Sequence, residues 1–151
     1  MARCKDCVFC KIISGEIPSI KLFEDERCIV IFDINPAAKG HFLVIPKAHY
    51  EKVHEAPDAV LKHILPIAGK VAKNLKFKDY NIVSNNGEGS GQIIPHIHFH
   101  VIPKYSKKEA AKLGEGLVYG ETKGYEFDAK EAKEMVEHIG MIECSLHEYA
   151  D

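Results

Sequence analysis

The sequence predicts an α+β fold: an antiparallel sheet of about five strands, one long helix packed on it, and short helices near the amino and carboxy ends. Three observations carry this. Short β-branched runs alternate with turn chemistry between Ile20 and Ile45, a helical period of apolar residues begins at Asp58, and a second pair of strand-like runs flanks a glycine-rich loop.

Taken in order, residues 7–14 form a short apolar segment closed by Gly15, which suits a brief helix with a glycine just past its end. Glu16-Ile17-Pro18-Ser19 is then a turn. Residues 20–24, 28–32 and 41–45 read as strands. They are separated by Asp25-Glu26-Arg27 and by Asn35-Pro36-Ala37-Ala38-Lys39-Gly40, so the three form an antiparallel meander. From Asp58, Leu61, Ile64, Leu65, Ala68, Val71, Ala72 and Leu75 fit a helix with one buried face. Pro66 crowds the carbonyl of Lys62 and removes a main-chain hydrogen bond, which predicts a kink or a late start. Residues 81–84 and 96–102 read as two further strands joined by residues 85–92, a loop rich in residues that tolerate positive φ. Beyond Tyr105 the pattern is irregular until Asp128-Ala129-Lys130-Glu131. That start resembles a capping box, and it precedes Ala132, Met135, Val136 and Ile139 on one face of a closing helix.

With 151 residues, 46% of them hydrophobic and 28% charged, the chain fits a single domain with one core. A formal net charge of −2 argues against a nucleic-acid partner, which would draw on clustered Lys and Arg. The basic stretch Lys104-Tyr105-Ser106-Lys107-Lys108 is short, meets Glu109 at once, and reads as a solvated turn. No charged leader precedes an apolar run, and no apolar stretch approaches the ~18 residues of a membrane span, so a cytoplasmic protein without a membrane partner is expected. The five cysteines are odd in number: Cys4, Cys7 and Cys10 crowd the amino terminus while Cys28 and Cys144 lie far off. Reduced thiols are therefore the default, with Cys28 a small buried strand residue.

The chemistry concentrates in His96-Ile97-His98-Phe99-His100, where imidazoles recur at every second position. In a strand all three share one face, exposed in this reading, while Ile97, Phe99 and Val101 fill the buried one. Such a row points to proton transfer, nucleophilic attack or metal binding. His98, at its centre, is the candidate nucleophile, and His100 can act on the leaving group. The glycine-rich loop before the strand offers main-chain N–H groups to an anion, although no Gly-Lys-Ser/Thr marks it as a Walker loop. Cys7-Val8-Phe9-Cys10 has the spacing for two thiolates on one metal, with His49 and His96 as candidates to complete a zinc shell; a metal-free dithiol is the other reading. Asp33 at the end of an apolar strand suits either the two hydroxyls of a ribose or a turn start, and a lone His41 suits a structural role. His54, His63, His138 and His147 read as surface or helix residues.

The pattern from His96 to Ile102 resembles the histidine triad superfamily of nucleotide hydrolases and transferases. The likeness extends to residues 9–17, Phe32-Asp33-Ile34, the run from Gly40 to His49, and Gly91-Gln92, about residues 7–105 in all, and is nearest the branch of histidine triad nucleotide-binding proteins. It implies a homodimeric α+β domain that binds purine nucleoside monophosphates and cleaves at the α-phosphorus through a phosphohistidine. Carried over, it makes His98 the nucleophile, with His100 and His41 contacting the phosphate and assisting proton transfer. Asp33 then holds the ribose, Asn85 and Gln92 the phosphate and leaving-group region, and Phe9, Ile12 and Ile31 the base. Zinc-bearing members resemble this chain at Cys7, Cys10, His49 and His96. In phosphoramidase members a small hydroxyl residue commonly follows Gly-Gln, where this chain has Ile93, and residues 106–151 form an extension beyond the likeness. The resulting expectation is hydrolysis of purine nucleoside 5′-phosphoramidates and related adenylylated compounds. The alternatives are dinucleoside polyphosphate cleavage, or a purine nucleotide-binding partner protein with incidental turnover.

Overall fold

The computed structural model describes residues 4–114, 125–137 and 139. Cys144, His138 and His147 lie outside the described residues. The elements in chain order are α1 (Val8–Ser14), β1 (Lys21–Glu24), β2 (Cys28–Phe32), β3 (Phe42–Pro46), α2 (Asp58–Asn74), β4 (Asp79–Val83), β5 (Phe99–Lys104), α3 (Lys107–Leu113) and α4 (Ala129–Glu137), with single 3₁₀ turns at Val53–Glu55 and Glu88–Ser90. The strands form one five-stranded antiparallel sheet in the order β1-β2-β3-β5-β4. The predicted meander is its first half, and the β4–β5 pair adds the second with β5 innermost.

The period of two along β2 and β3 explains why both are buried throughout. Val30, Phe32, Phe42 and Val44 face α2 in the larger core, with Ile64, Ile67, Ala68, Val71 and Ala72. The alternate residues Ile29, Ile31, Leu43 and Ile45 face α1 in a second core with Cys7, Phe9, Cys10 and Ile12. The sheet is thus covered on both sides, which makes its central strands continuous apolar runs rather than alternating ones.

Local chemistry sets the ends. Cys7 caps α1 by accepting the Cys10 N–H on its sulfur at 3.4 Å, and Gly15, at φ 86°, returns its N–H to the Ile12 carbonyl. Asp25 shapes the β1–β2 turn by accepting the Arg27 and Cys28 N–H groups on Oδ1, each at 2.8 Å.

Several expectations are corrected. The α2 helix begins at Asp58 and includes Pro66, so the late start that Pro66 could have imposed is not taken. Its buried stripe is 63-64-67-68-71-72, so Leu65 is exposed and Ile67 takes the core position. His63 is buried on that stripe, 2.6 Å from Asp25 Oδ2, and ties the helix to the β1–β2 turn. The strand expected over residues 96–102 begins only at Phe99, because the Ile97 N–H donates to the Tyr50 carbonyl and the His96 N–H to that of Ile94. The basic stretch expected as a solvated turn runs into α3: Ser106 Oγ accepts the Glu109 N–H while Glu109 Oε1 accepts from Ser106, a reciprocal cap. At α4, Asp128 Oδ1 accepts the Lys130 and Glu131 N–H groups. Among the described residues, no helix is long and apolar enough to cross a membrane.

Candidate active site

The histidine row is held on the α1 side of the sheet and is not exposed. His96 is fully buried, His98 is 6% exposed, and Phe9 packs against both rings in T-shaped contacts at centroid distances of 5.8 and 4.9 Å. The rings do share a side, as the two-residue period requires, with His98 and His100 centroids 4.9 Å apart. What the sequence pattern alone does not show is that α1 lies over them.

Each imidazole has a partner that fixes its tautomer. His98 Nδ1 lies 2.7 Å from the carbonyl oxygen of His96. A carbonyl only accepts, so Nδ1 carries the proton and Nε2 keeps its lone pair. In the other direction, the Ala37 N–H donates to His41 Nδ1 at 2.9 Å, leaving the His41 proton on Nε2, from which it is donated to His100 Nδ1 at 2.9 Å. His100 in turn holds its proton on Nε2. The loop that supplies this fixed donor folds upon itself: Asp33 N–H donates to the His41 carbonyl, His41 N–H to that of Ala38, and Gly40 adopts φ +93°.

Burial sets the charge. Desolvation, with the neighbouring imidazoles adding to it, pushes His41 down to about 3 and His100 to about 4, and burial lowers His98 as well. All three rings are neutral at pH 7. Asp33 moves the other way, raised to about 6 by burial although its Oδ1 accepts the Asn35 N–H at 2.8 Å. Its Oδ2 stands 3.4 Å from His41 Nε2 and 3.8 Å from His100 Nδ1.

These groups open on a cavity of about 810 Å³. Phe9, Ile12 and Ile31 give it an apolar end, Asp33 sits at the close of β2, and His41, His98, His100 and Asn85 line the remainder. Gln92 is not brought there. Its Oε1 accepts the Gly87 N–H at 2.7 Å and its Nε2 donates to the Glu51 carbonyl at 2.8 Å, which braces the loop. The N–H groups of Gly87, Ser90, Gly91 and Gln92 are likewise spent inside the loop, so the expected concave anion site is not formed by them. Sequence reasoning missed Ser19, Phe127, Ala129 and Lys133, all of which line the cavity; nothing in their local pattern signals it.

Behind the row, Cys7, Cys10, His49 and His96 converge so that one donor atom from each lies within 4.8 Å of every other. His96 Nε2 donates to the Pro46 carbonyl at 2.7 Å, which leaves the Nδ1 lone pair facing inward. That nitrogen is 3.4 Å from Cys7 Sγ, 3.6 Å from Cys10 Sγ and 3.1 Å from His49 Nδ1. Ligands about 2.0–2.3 Å from a tetrahedral ion are separated by roughly 3.3–3.8 Å, so the donor set fits such a metal in number, type and spacing.

Comparison with known proteins agrees with this geometry. The HIT domain family model matches residues 14–107. The chain is 46% identical over 108 residues to adenosine 5′-monophosphoramidase HNT1 of Saccharomyces cerevisiae, covering 72% of this chain and 68% of that protein. It is 39% identical over 147 residues to adenylylsulfatase HINT3 of Arabidopsis thaliana, covering 95% and 72%. A Zn-bound histidine triad family protein from Mycobacterium smegmatis superposes with a TM-score of 0.70 at 29% identity, covering 87% of this chain and 90% of that one. With its sheet, its histidine row and the family match over most of its length, the chain belongs to the HIT domain family.

Proposed function

We propose that the protein is a nucleotide hydrolase that cleaves at the α-phosphorus of purine nucleoside 5′-phosphoramidates and related adenylylated compounds. The observation that carries this reading is the 2.7 Å contact from His98 Nδ1 to the His96 carbonyl, which leaves Nε2 as a neutral, unshared nucleophile on the cavity wall. The yeast and plant relatives named above support the substrate class.

The nucleoside enters with its base against Phe9, Ile12 and Ile31 and its ribose hydroxyls on Asp33. His98 Nε2 attacks the phosphorus. The bond to the leaving nitrogen breaks, its electron pair stays on nitrogen, and the amine departs with a proton drawn from solvent. His100 Nε2–H, oriented by His41, donates to a phosphoryl oxygen as charge builds there, and Asn85 lies on the same wall. The His96 carbonyl steadies the cationic ring of the nucleotidyl-His98. Water then attacks phosphorus, releases its proton to solvent, and returns Nε2 to its starting state.

Cys7, Cys10, His49 and His96 would hold a zinc ion. Four protein ligands close the shell, so its contribution is structural, a cross-link from α1 to the residue whose carbonyl orients His98. Cys4, Cys7 and Cys10, which form no disulfide among the described residues, suit a reducing, cytoplasmic setting. A homodimer is supported by β4, an edge strand that leaves Tyr80 and Ile82 more than a third exposed.

The test is replacement of His98 by Ala, followed by release of nucleoside monophosphate from adenosine and guanosine phosphoramidates. Release is expected to fall at least about a thousandfold while monophosphate binding persists. Undiminished turnover removes the mechanism.

A further inference from the structure

The loop that delivers His41 is held by a part of the chain that the mechanism does not use. Tyr105, directly after β5, donates its O–H to the Lys39 carbonyl at 2.5 Å, and the Lys39 N–H donates to the Leu113 carbonyl at 2.7 Å. Both main-chain groups of one loop residue are thus bonded to the segment that runs from β5 through α3. Gly114, just past α3, lies against the same loop: a Cβ placed on it would stand 2.6 Å from the Ala37 carbonyl oxygen and 2.8 Å from Ala38 Cα. Only a residue without a side chain comes this close, and its φ of +95° is one that glycine adopts freely. Ala37, Ala38 and Ile102 form a small buried cluster on which Tyr105 packs.

Further contacts to this loop come from residues 125–137. Lys39 Nζ is 3.5 Å from Glu131 Oε2, which also accepts the Tyr125 O–H at 2.6 Å. Met135 and Phe77 close on Gly40, where a Cβ would meet them at 3.3 and 3.2 Å. The family match ends at residue 107, the first of α3, so the end of α3, Gly114 and α4 lie beyond it, and all three converge on residues 37–40.

Ala37 is the residue whose N–H keeps the His41 proton on Nε2 and, through it, the His100 proton on the nitrogen that faces the cavity. A neutral imidazole carries its proton on either nitrogen, and the partner of the other nitrogen decides which. An amide that drifts from His41 Nδ1 lets that nitrogen take the proton. His41 Nε2 then accepts from His100 Nδ1, and His100 turns a lone pair to the cavity in place of a donor. We propose that Tyr105 and Gly114 are positioning residues: by pinning Lys39 and Ala37 they hold the Ala37 amide on His41 and so fix the tautomer of His100. The segment that carries His100 thereby also carries the groups that set its proton. The consequence for rate rests on the reading above, in which His100 Nε2–H donates to a phosphoryl oxygen.

Two variants of the intact protein test this. Tyr105→Phe removes the hydroxyl and keeps the ring on its cluster, while Gly114→Ala forces a methyl group against the Ala37 carbonyl. Imidazole nitrogen spectra of the protein without substrate give the readout that a general loss of stability does not move: His100 is expected to carry its proton on Nε2 in the wild type and on both nitrogens in each variant. With an adenosine phosphoramidate, kcat is expected to fall about tenfold in each, while adenosine monophosphate affinity by calorimetry stays within about twofold. Ile64→Val, which removes a methyl group from the core face of α2, serves as the comparison: it lowers Tm and is expected to keep both kcat and the His100 tautomer. A wild-type tautomer in either variant overturns the proposal for that residue, and an equal change in Ile64→Val overturns it for both. A shifted tautomer with unchanged kcat supports the brace and removes His100 as the donor. A wild type that turns over no phosphoramidate loses the hydrolase reading, while the spectra still decide the brace.

Discussion

His41 Nε2 lies 2.9 Å from His100 Nδ1, and the opposite nitrogen of His41 accepts the Ala37 N–H, so a backbone amide dictates which nitrogen of His100 faces the cavity with a proton. His41 is 59 residues from His100 in sequence. It acts through another ring and is a positioning residue. Replacing His41 by Ala should lower kcat about a hundredfold while nucleoside monophosphate affinity changes little. Imidazole nitrogen spectra provide the specific readout: in the wild type His100 holds its proton on Nε2, and in the variant both tautomers are populated. A variant with reduced kcat and an unchanged His100 tautomer would show that His41 only supports the fold.

Asp33 sets function against stability. Its pKa rises from 3.8 in the unfolded chain to about 6 in the buried site, so the folded state binds a proton more tightly than the unfolded one across that range. Stability is therefore lost as pH rises from about 4 through about 6, and the cost of burying the ionised group is fully present at pH 7, up to about 3 kcal/mol. Asp33→Asn keeps an acceptor for the Asn35 N–H and removes that charge. Thermal unfolding should show the variant more stable than the wild type at pH 7, with the gap closing towards pH 4, while its affinity for a ribonucleotide falls. A gap that does not vary with pH contradicts this account.

The α+β architecture was legible wherever burial has a simple period: β2 and β3 as apolar runs, α2 from its stripe, α1 from Gly15. Legibility failed where a partner from elsewhere in the chain decides the outcome. The exposed face expected for the histidines is covered by α1, and no local pattern announces Phe9 against His98. Residues 96–98 have strand composition, yet the Tyr50 carbonyl takes the Ile97 N–H and defers the strand to Phe99. Gln92, expected at the phosphate, instead spends both ends of its amide on the backbone of its surroundings. The α3 helix is a different case, since Ser106 and Glu109 are a readable cap that the adjoining lysines obscured.

The Cys7, Cys10, His49, His96 cluster joins α1 to the residue that orients the nucleophile, so the metal should support both fold and rate. Purified protein is expected to carry one zinc per chain by elemental analysis. Cys10→Ser should lose it and, with metal saturating the wild type a thousandfold above its dissociation constant, unfold with about 4 kcal/mol less stability. Because the His96 carbonyl fixes His98, kcat should fall in the same variant. A metal-free wild type with unchanged Tm after chelation would leave the cluster as a buried dithiol beside two histidines.

Ile93 lines the cavity and yet is 91% exposed, the most exposed of the large apolar side chains in the described residues. It follows Gly91-Gln92, the position at which phosphoramidase members commonly carry a small hydroxyl residue. An isoleucine so open to water adds almost nothing to the core, so its replacement should alter stability by less than about 0.5 kcal/mol. Ile93→Ser places a donor on the wall shared with Asn85, His98 and His100. A hydrogen bond of about 1 kcal/mol made only as charge develops on the phosphoryl oxygens corresponds to about a fivefold rise in kcat/KM on an adenosine phosphoramidate. Ile93→Ala separates the two causes at work, since it removes the isoleucine without supplying the hydroxyl. Equal gains in Ser and Ala would mean that the branched side chain obstructs entry; a gain in Ser alone identifies the donor. A loss in both would mean that the apolar surface of Ile93 holds the leaving group, and the native residue would then be matched to a substrate with an apolar leaving moiety.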